Sequence, residues 1–183
     1  MLRIGLCVLY TALMLGANPA LADVTAAKAV LAGDMRKLSF HEEAKAVPDE
    51  VLADLDGVEH ELADWQGKWV VLNFWATWCA PCRKEMPSLD RLAQTVGEDV
   101  AVVTVATGRN PPAAVTRFFE EIGVESLPVL LDPKSALARQ MGVLGLPLTV
   151  ILNPEGQEIA RLIGDAEWDG VNARAMLDAL IAP

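Results

Sequence analysis

Cys79 and Cys82, separated by two residues in the run Trp78-Cys79-Ala80-Pro81-Cys82, are the residues of this chain best suited to chemistry. They sit where an apolar run gives way to helical spacing. Residues three apart on a helix share a face, so two sulfurs at this spacing can meet and form a reversible bridge. Such a bridge closes almost no loop and adds little through chain entropy, which favours chemistry over stapling. Cys79 falls at the helix N-terminus, where unpaired N–H groups and the positive end of the dipole favour its thiolate. The thiolate is the attacking species in disulfide exchange. Cys79 is therefore expected as the exposed nucleophile and Cys82, one turn inside, as the resolving thiol. Pro81 suits a first turn, where no intrahelical donor is lost. The competing reading is half of a structural zinc site. That needs two more ligands, and the only histidines, His41 and His60, lie upstream without a ligand pattern.

Glu85 follows Cys82 by three residues, on the same helical side. Its residue type leaves two readings open. It is an ordinary exposed helix Glu paired with Lys or Arg, or a carboxylate whose burial raises its pKa and lets it accept the resolving thiol's proton. Trp78, beside Cys79, is expected to form an apolar platform at the site, and Trp75 to pack in the core. Arg83 and Lys84 read as solvated helix residues.

The elements around this segment follow from pattern. Residues 69–74 (WVVLNF) form a near-continuous apolar run, which fits a strand buried on both faces. Met86, Leu89, Leu92, Ala93 and Val96 share a helical face, and Gly97 ends the helix. Residues 100–106 read as a second buried strand, residues 112–122 as a helix opened by proline, and residues 127–131 as a third strand. Asp132-Pro133 opens a short helix to Met141. Residues 148–152 and 158–163 form a hairpin pair across Asn153-Pro154-Glu155-Gly156, and a last helix covers residues 168–181. Upstream, residues 50–62 read as a hairpin with Asp56-Gly57 at its turn. Val24, Ala27, Leu31, Met35 and Leu38 suggest one amphipathic helix docked on the domain, and residues 41–48 (HEEAKAVP) a polar connector. Strands alternating with helices and ending in a hairpin make an α/β domain with a mixed sheet.

The N-terminus carries an address. Arg3 is the only charge in residues 1–22, an apolar run follows from Ile4 to Ala17, and Ala20-Leu21-Ala22 gives a small-x-small cleavage pattern. The run is short for a bilayer span, which wants ~20 residues. Export with cleavage after Ala22 is the expectation; an uncleaved tilted anchor or a buried core helix are the alternatives. Cleavage removes Cys7, leaving Cys79 and Cys82 as the sole pair. The expected division is a leader at 1–22, a helix and connector at 23–46, and one domain at 47–183.

The chain has 183 residues, 52% of them hydrophobic, which is ample for a packed core and excludes a disordered chain. With 25 acidic against 15 basic side chains, its net charge of −10 argues against a nucleic-acid binder, which needs clustered Lys and Arg.

The segment from Asn73 to Pro87 (NFWATWCAPCRKEMP) resembles the active-site segment of the thioredoxin superfamily, and more narrowly that of the exported TlpA/ResA group of thiol-disulfide oxidoreductases. The resemblance covers residues 47–181. It implies a thioredoxin-like fold: a central mixed β-sheet flanked by helices, with an N-terminal β-hairpin and a central strand-helix insertion. It also implies that Pro147, in Gly142-Val143-Leu144-Gly145-Leu146-Pro147, is the family's cis-proline facing the CxxC. Substrate would then dock against Trp78, Ala80, Pro81, Leu146 and Pro147. The common pattern puts Thr directly after this proline, whereas here Leu148 intervenes before Thr149. Cytosolic thioredoxins carry a buried Asp where this chain has Asn73, and the resemblance assigns the proton-accepting role to Glu85.

By the same resemblance the function is reduction of selected protein disulfides in the periplasm through a Cys79–Cys82 redox-active disulfide, without metal or organic cofactor. The implied substrates belong to cytochrome c maturation or to copper-centre assembly of a terminal oxidase. The implied electron donor is a membrane protein of the DsbD/CcdA type. Two alternatives stand beside this. A general oxidant like DsbA is disfavoured because Ala80-Pro81 lacks that motif's His. A Sco-like copper-binding chaperone is disfavoured because Sco cysteines are separated by three residues with a His downstream, whereas here two residues separate them and both histidines lie upstream. The Pro-x-x-x-Thr-x-x-Cys pattern of peroxiredoxins is absent.

Overall fold

The computed structural model describes residues 19–182. The leader expected over residues 1–22 lies for the most part outside the described residues. Strand β4 (Trp69–Trp75) is buried at all seven positions, as its unbroken apolar sequence requires of a strand covered on both faces. It lies parallel to β5 (Val100–Thr107) and antiparallel to β7 (Leu148–Leu152). Beyond β7 come β8 (Glu158–Ile163) and the edge strand β1 (Leu38–Lys45), both antiparallel to their inner neighbours. Beyond β5 come β6 (Val129–Asp132), parallel to it, and the short hairpin β2 (Leu52–Ala53) and β3 (Glu59–His60). The sheet among the described residues runs β1-β8-β7-β4-β5-β6-β2-β3. The hairpin turn is the expected one, with Gly57 at a φ of 83°.

Side chains of β4 alternate between two apolar layers. Trp69, Val71 and Trp75 join the layer that includes Met86, Leu89 and Leu92 of α2 (Ala80–Thr95), Phe118 of α3 (Pro112–Ile122) and Leu177 of α5 (Val171–Ile181). Val70, Leu72 and Phe74 join the opposite layer, with Leu137 of α4 (Ala136–Gln140). Asn73 therefore projects on the α2 side, as a polar residue at an apolar position. The expected central strand-helix insertion is β6 with α4. Asp132 starts α4 by accepting from the backbone N–H groups of Ala136 and Ala138.

Three expectations are corrected. The stripe from Val24 to Leu38 is not one helix: α1 (Pro19–Ala29) ends before Gly33, which adopts a φ of 54°, and a 3₁₀ turn (Gly33–Lys37) then leads into β1. Ala27, Met35 and Leu38 are buried as expected, but from three different elements. The polar connector at 41–48 is mostly strand β1, a one-sided edge whose outer residues stay polar. The last helix begins at Val171 rather than at Trp168, which lies in the preceding loop and is fully buried.

Because β5 and β6 run parallel to β4 while β7 begins and β8 ends beside its C-terminus, several turns converge on one end of the sheet. They are residues 76–79, 108–111, 142–147 and 164–170.

Candidate active site

Cys79 is the N-cap of α2, and its sulfur is bonded to that of Cys82. The same sulfur accepts from the backbone N–H of Cys82 at 3.3 Å, so one otherwise unpaired donor of the first turn points at it. That donor would serve a thiolate equally well. Cys79 was expected to be exposed; in the bridged state it is 5% exposed, against 0% for Cys82. The order of accessibility holds, but the bridge tucks both sulfurs under the helix end. Ala80 and Pro81 are exposed, and Trp78 is 68% exposed beside them.

The loop entering the helix is held from a neighbouring strand end. The side-chain oxygen of buried Asn110 accepts from the Thr77 backbone N–H at 2.8 Å and from the Thr77 hydroxyl at 2.9 Å. Its amide nitrogen donates to the Thr107 carbonyl at 2.9 Å. One side chain thus ties the residues before Cys79 to the end of β5.

Glu85 is 2% exposed, which settles its two readings in favour of burial. Its Oε1 accepts from Asn73 Nδ2 at 2.8 Å; its Oε2 accepts from the Ala166 backbone N–H at 3.2 Å and Trp168 Nε1 at 3.3 Å. Burial pushes its pKa up to about 7, against the downward pull of these three donors, while the charge of Asp165 adds a small upward push. A carboxyl that exchanges its proton near neutral pH, one helical turn past Cys82, has the acidity that general acid–base work at such a pH asks for. Asn73 is thus not the missing acid but a donor that holds it. Thr149, displaced one position from the common pattern, is buried and accepts from the same Asn73 amide at 2.9 Å.

The Leu146–Pro147 peptide is cis, as the resemblance implied. Pro147 is buried, Leu146 half-buried and Leu144 fully exposed. The carbonyl of Pro147 accepts from the Gly164 N–H at 3.0 Å, linking this loop to the end of β8. Trp75 packs in the core against Phe118 and Phe119. Arg83 is exposed, pairs with Glu121 at 3.0 Å and lies over the Phe118 ring; exposed Lys84 pairs with Asp165 at 2.7 Å. Among the described residues no three His, Cys, Asp or Glu side chains gather as a metal site.

Sequence reasoning did not find Asn110, Ala166 or Trp168, which reach the site from residues remote in the chain. Trp168 did carry a hint: it is a lone large aromatic in the acidic stretch Asp165-Ala166-Glu167-Trp168-Asp169, which suggests a loop folded back onto the core.

Residues 44–159 match the AhpC/TSA family. The chain belongs to that family. It is 39% identical over 113 residues to the thiol-disulfide oxidoreductase ResA of Geobacillus thermodenitrificans, a match covering 60% of this chain and 63% of the relative. It is 38% identical over 123 residues to ResA of Bacillus subtilis, covering 67% of this chain and 68% of the relative. Among solved structures it is similar to a thiol:disulfide interchange protein DsbE of Chlorobium tepidum. That likeness has a TM-score of 0.66 and 28% identity, and covers 78% of this chain and 99% of the other. This member of the AhpC/TSA family keeps the CxxC of the thioredoxin-like pattern.

Proposed function

We propose that this AhpC/TSA-family chain is a thiol-disulfide oxidoreductase that reduces selected protein disulfides outside the cytosol. The observation that carries the reading is the Cys79–Cys82 bridge capping α2 with the buried carboxyl of Glu85 one turn beyond it. In the reduced protein the Cys79 thiolate attacks one sulfur of the substrate disulfide. A mixed disulfide forms and the other substrate sulfur leaves as a thiolate. Cys82 gives its proton to Glu85, attacks Cys79 and closes the bridge, releasing the second substrate sulfur. Two electrons pass to the substrate, and both cysteines end oxidised. Trp78, Ala80, Pro81, Leu146 and Pro147 form the docking rim, all at the sheet end where Cys79 lies.

The finer reading is a periplasmic reductant in cytochrome c maturation or oxidase copper-centre assembly, recharged by a membrane donor of the DsbD/CcdA type. It is supported by the leader pattern of residues 1–22 and by the likeness to ResA and to the DsbE protein. No helix among the described residues is long and apolar enough to cross a membrane.

The reduction potential of the Cys79–Cys82 pair tests the direction of flow. The chain is equilibrated with thiol buffers and followed by tryptophan fluorescence. A value near that of thioredoxin, ~−270 mV, is expected. A value near ~−120 mV would make the protein an oxidant and overturn the reductant role.

A further inference from the structure

Trp168 is bonded at both ends to a single turn of α2. Its backbone N–H donates to Ser88 Oγ at 3.0 Å, and its indole N–H donates to Glu85 Oε2 at 3.3 Å. The ring is wholly buried, so the indole N–H has no water to turn to and needs a protein acceptor. The backbone N–H of Ala166 reaches the same carboxylate oxygen. Asn73 holds the opposite oxygen. The carboxyl is therefore gripped from two sides, by the Asn73 side chain from β4 and by one backbone and one indole N–H from the loop after β8.

We propose that Trp168 is a positioning residue of the thiol-disulfide site, its indole N–H fixing the Glu85 carboxyl in the orientation from which it exchanges a proton with Cys82. The inference rests on the role proposed above for Glu85. Charged and titratable groups near that carboxyl come from two elements. Lys84 and Cys82 belong to α2, which Cys79 caps, and Asp165, paired with Lys84, belongs to the loop that carries Trp168. The groups from β4 and β7 are the neutral Asn73 and Thr149. In the oxidised protein neither cysteine titrates, which leaves Glu85 as the acid that the indole N–H reads. An N–H donor favours the ionised carboxylate, so its loss shifts Glu85 toward the protonated form.

The test begins with the unaltered oxidised chain, labelled with ¹⁵N and titrated by NMR. The chain has five tryptophans. The Trp168 indole resonance is therefore assigned by its loss in Trp168→Phe. It is expected to move with a midpoint near the pKa of Glu85, about 7, and to stop moving in Glu85→Gln. In stopped-flow exchange with a small disulfide, Trp168→Phe is expected to move the Glu85-dependent limb of the pH–rate profile upward. The expected displacement is about one pH unit, a tenfold change in acidity constant. The same substitution should move nothing in a Glu85→Gln background. An indole resonance indifferent to pH while the Glu85 carboxyl itself titrates overturns the inference and leaves the Glu85 role standing. A Trp168→Phe displacement that persists without Glu85 overturns it as well, because packing alone would then be responsible. If Glu85→Gln leaves the profile unchanged, the Glu85 role fails and the inference fails with it.

Discussion

Glu85→Gln keeps the shape of a buried side chain and deletes its charge, so it should stabilise the oxidised protein above neutral pH while slowing its chemistry. The pKa of Glu85 is raised from 4.5 to about 7, chiefly by burial. Below 4.5 the carboxyl is protonated in folded and unfolded chains alike, and it makes no pH-dependent contribution. Between 4.5 and about 7 the folded chain holds a proton that the unfolded chain has released, so stability falls as pH rises. Above that range the loss is complete, and the displacement corresponds to on the order of 3 kcal/mol. Gln escapes this loss if its amide finds partners. Its oxygen can take the Ala166 and Trp168 donors. Its NH₂ would then face Asn73, whose own oxygen has no partner among the described residues and can be turned to accept it. Urea denaturation of the two oxidised proteins between pH 4 and 9 reads the difference directly. The curves should meet near pH 4.5 and diverge by up to about 3 kcal/mol above pH 7, with the variant the more stable. Exchange with a disulfide substrate at neutral pH should meanwhile slow on the order of a hundredfold, the scale of a lost general acid–base group. Parallel stability curves would refute the claim that Glu85 is an acid displaced by burial.

Two further predictions concern positions away from the sulfurs. Asn110→Ala should strand the Thr77 N–H and the Thr107 carbonyl, costing about 1–3 kcal/mol by denaturation, and should speed amide exchange at Thr77; unchanged exchange at Thr77 would show that the tie does not hold the loop. Gly33→Ala and Gly123→Ala both force alanine into left-handed backbone, each at about 1–2 kcal/mol. Only at Gly33 would the new methyl collide with a neighbour, Asn172, so its melting temperature should fall further than that of Gly123→Ala, and equal falls would remove the collision from the account.

Much of the architecture was legible because the inner strands are covered on both faces and announce themselves as unbroken apolar runs. The edge strand β1 was not, because its one covered side leaves LSFHEEAK without a clean alternation. The helical stripe from Val24 to Leu38 misled because buried positions recur at similar spacing whether one helix or three elements supply them. At the site, the local parts of the design were readable: the CxxC at a helix start, and Glu85 one turn on. What spacing could not show was the company that Glu85 keeps. Ala166 and Trp168 lie 81 and 83 residues away along the chain, and their meeting with Glu85 exists only once the loop after β8 has docked on α2. Asn110, 33 residues from Thr77, is invisible for the same reason.

The place of β1 at the far end of the sheet bears on when, during synthesis, the molecule can be finished. Its only strand partner among the described residues is β8, with Leu38 set opposite Leu162, so an early strand waits for a late one before it pairs. A ribosome delivers the chain N-terminus first, so β1 emerges well before β8. Until β8 appears, the polar edge LSFHEEAK stays unpaired and water-compatible, while the apolar runs of β4 and β5 can already lie side by side. The polarity that hid β1 from pattern reading is thus what lets a nascent chain carry an orphan strand for more than a hundred residues without offering a sticky edge to its neighbours.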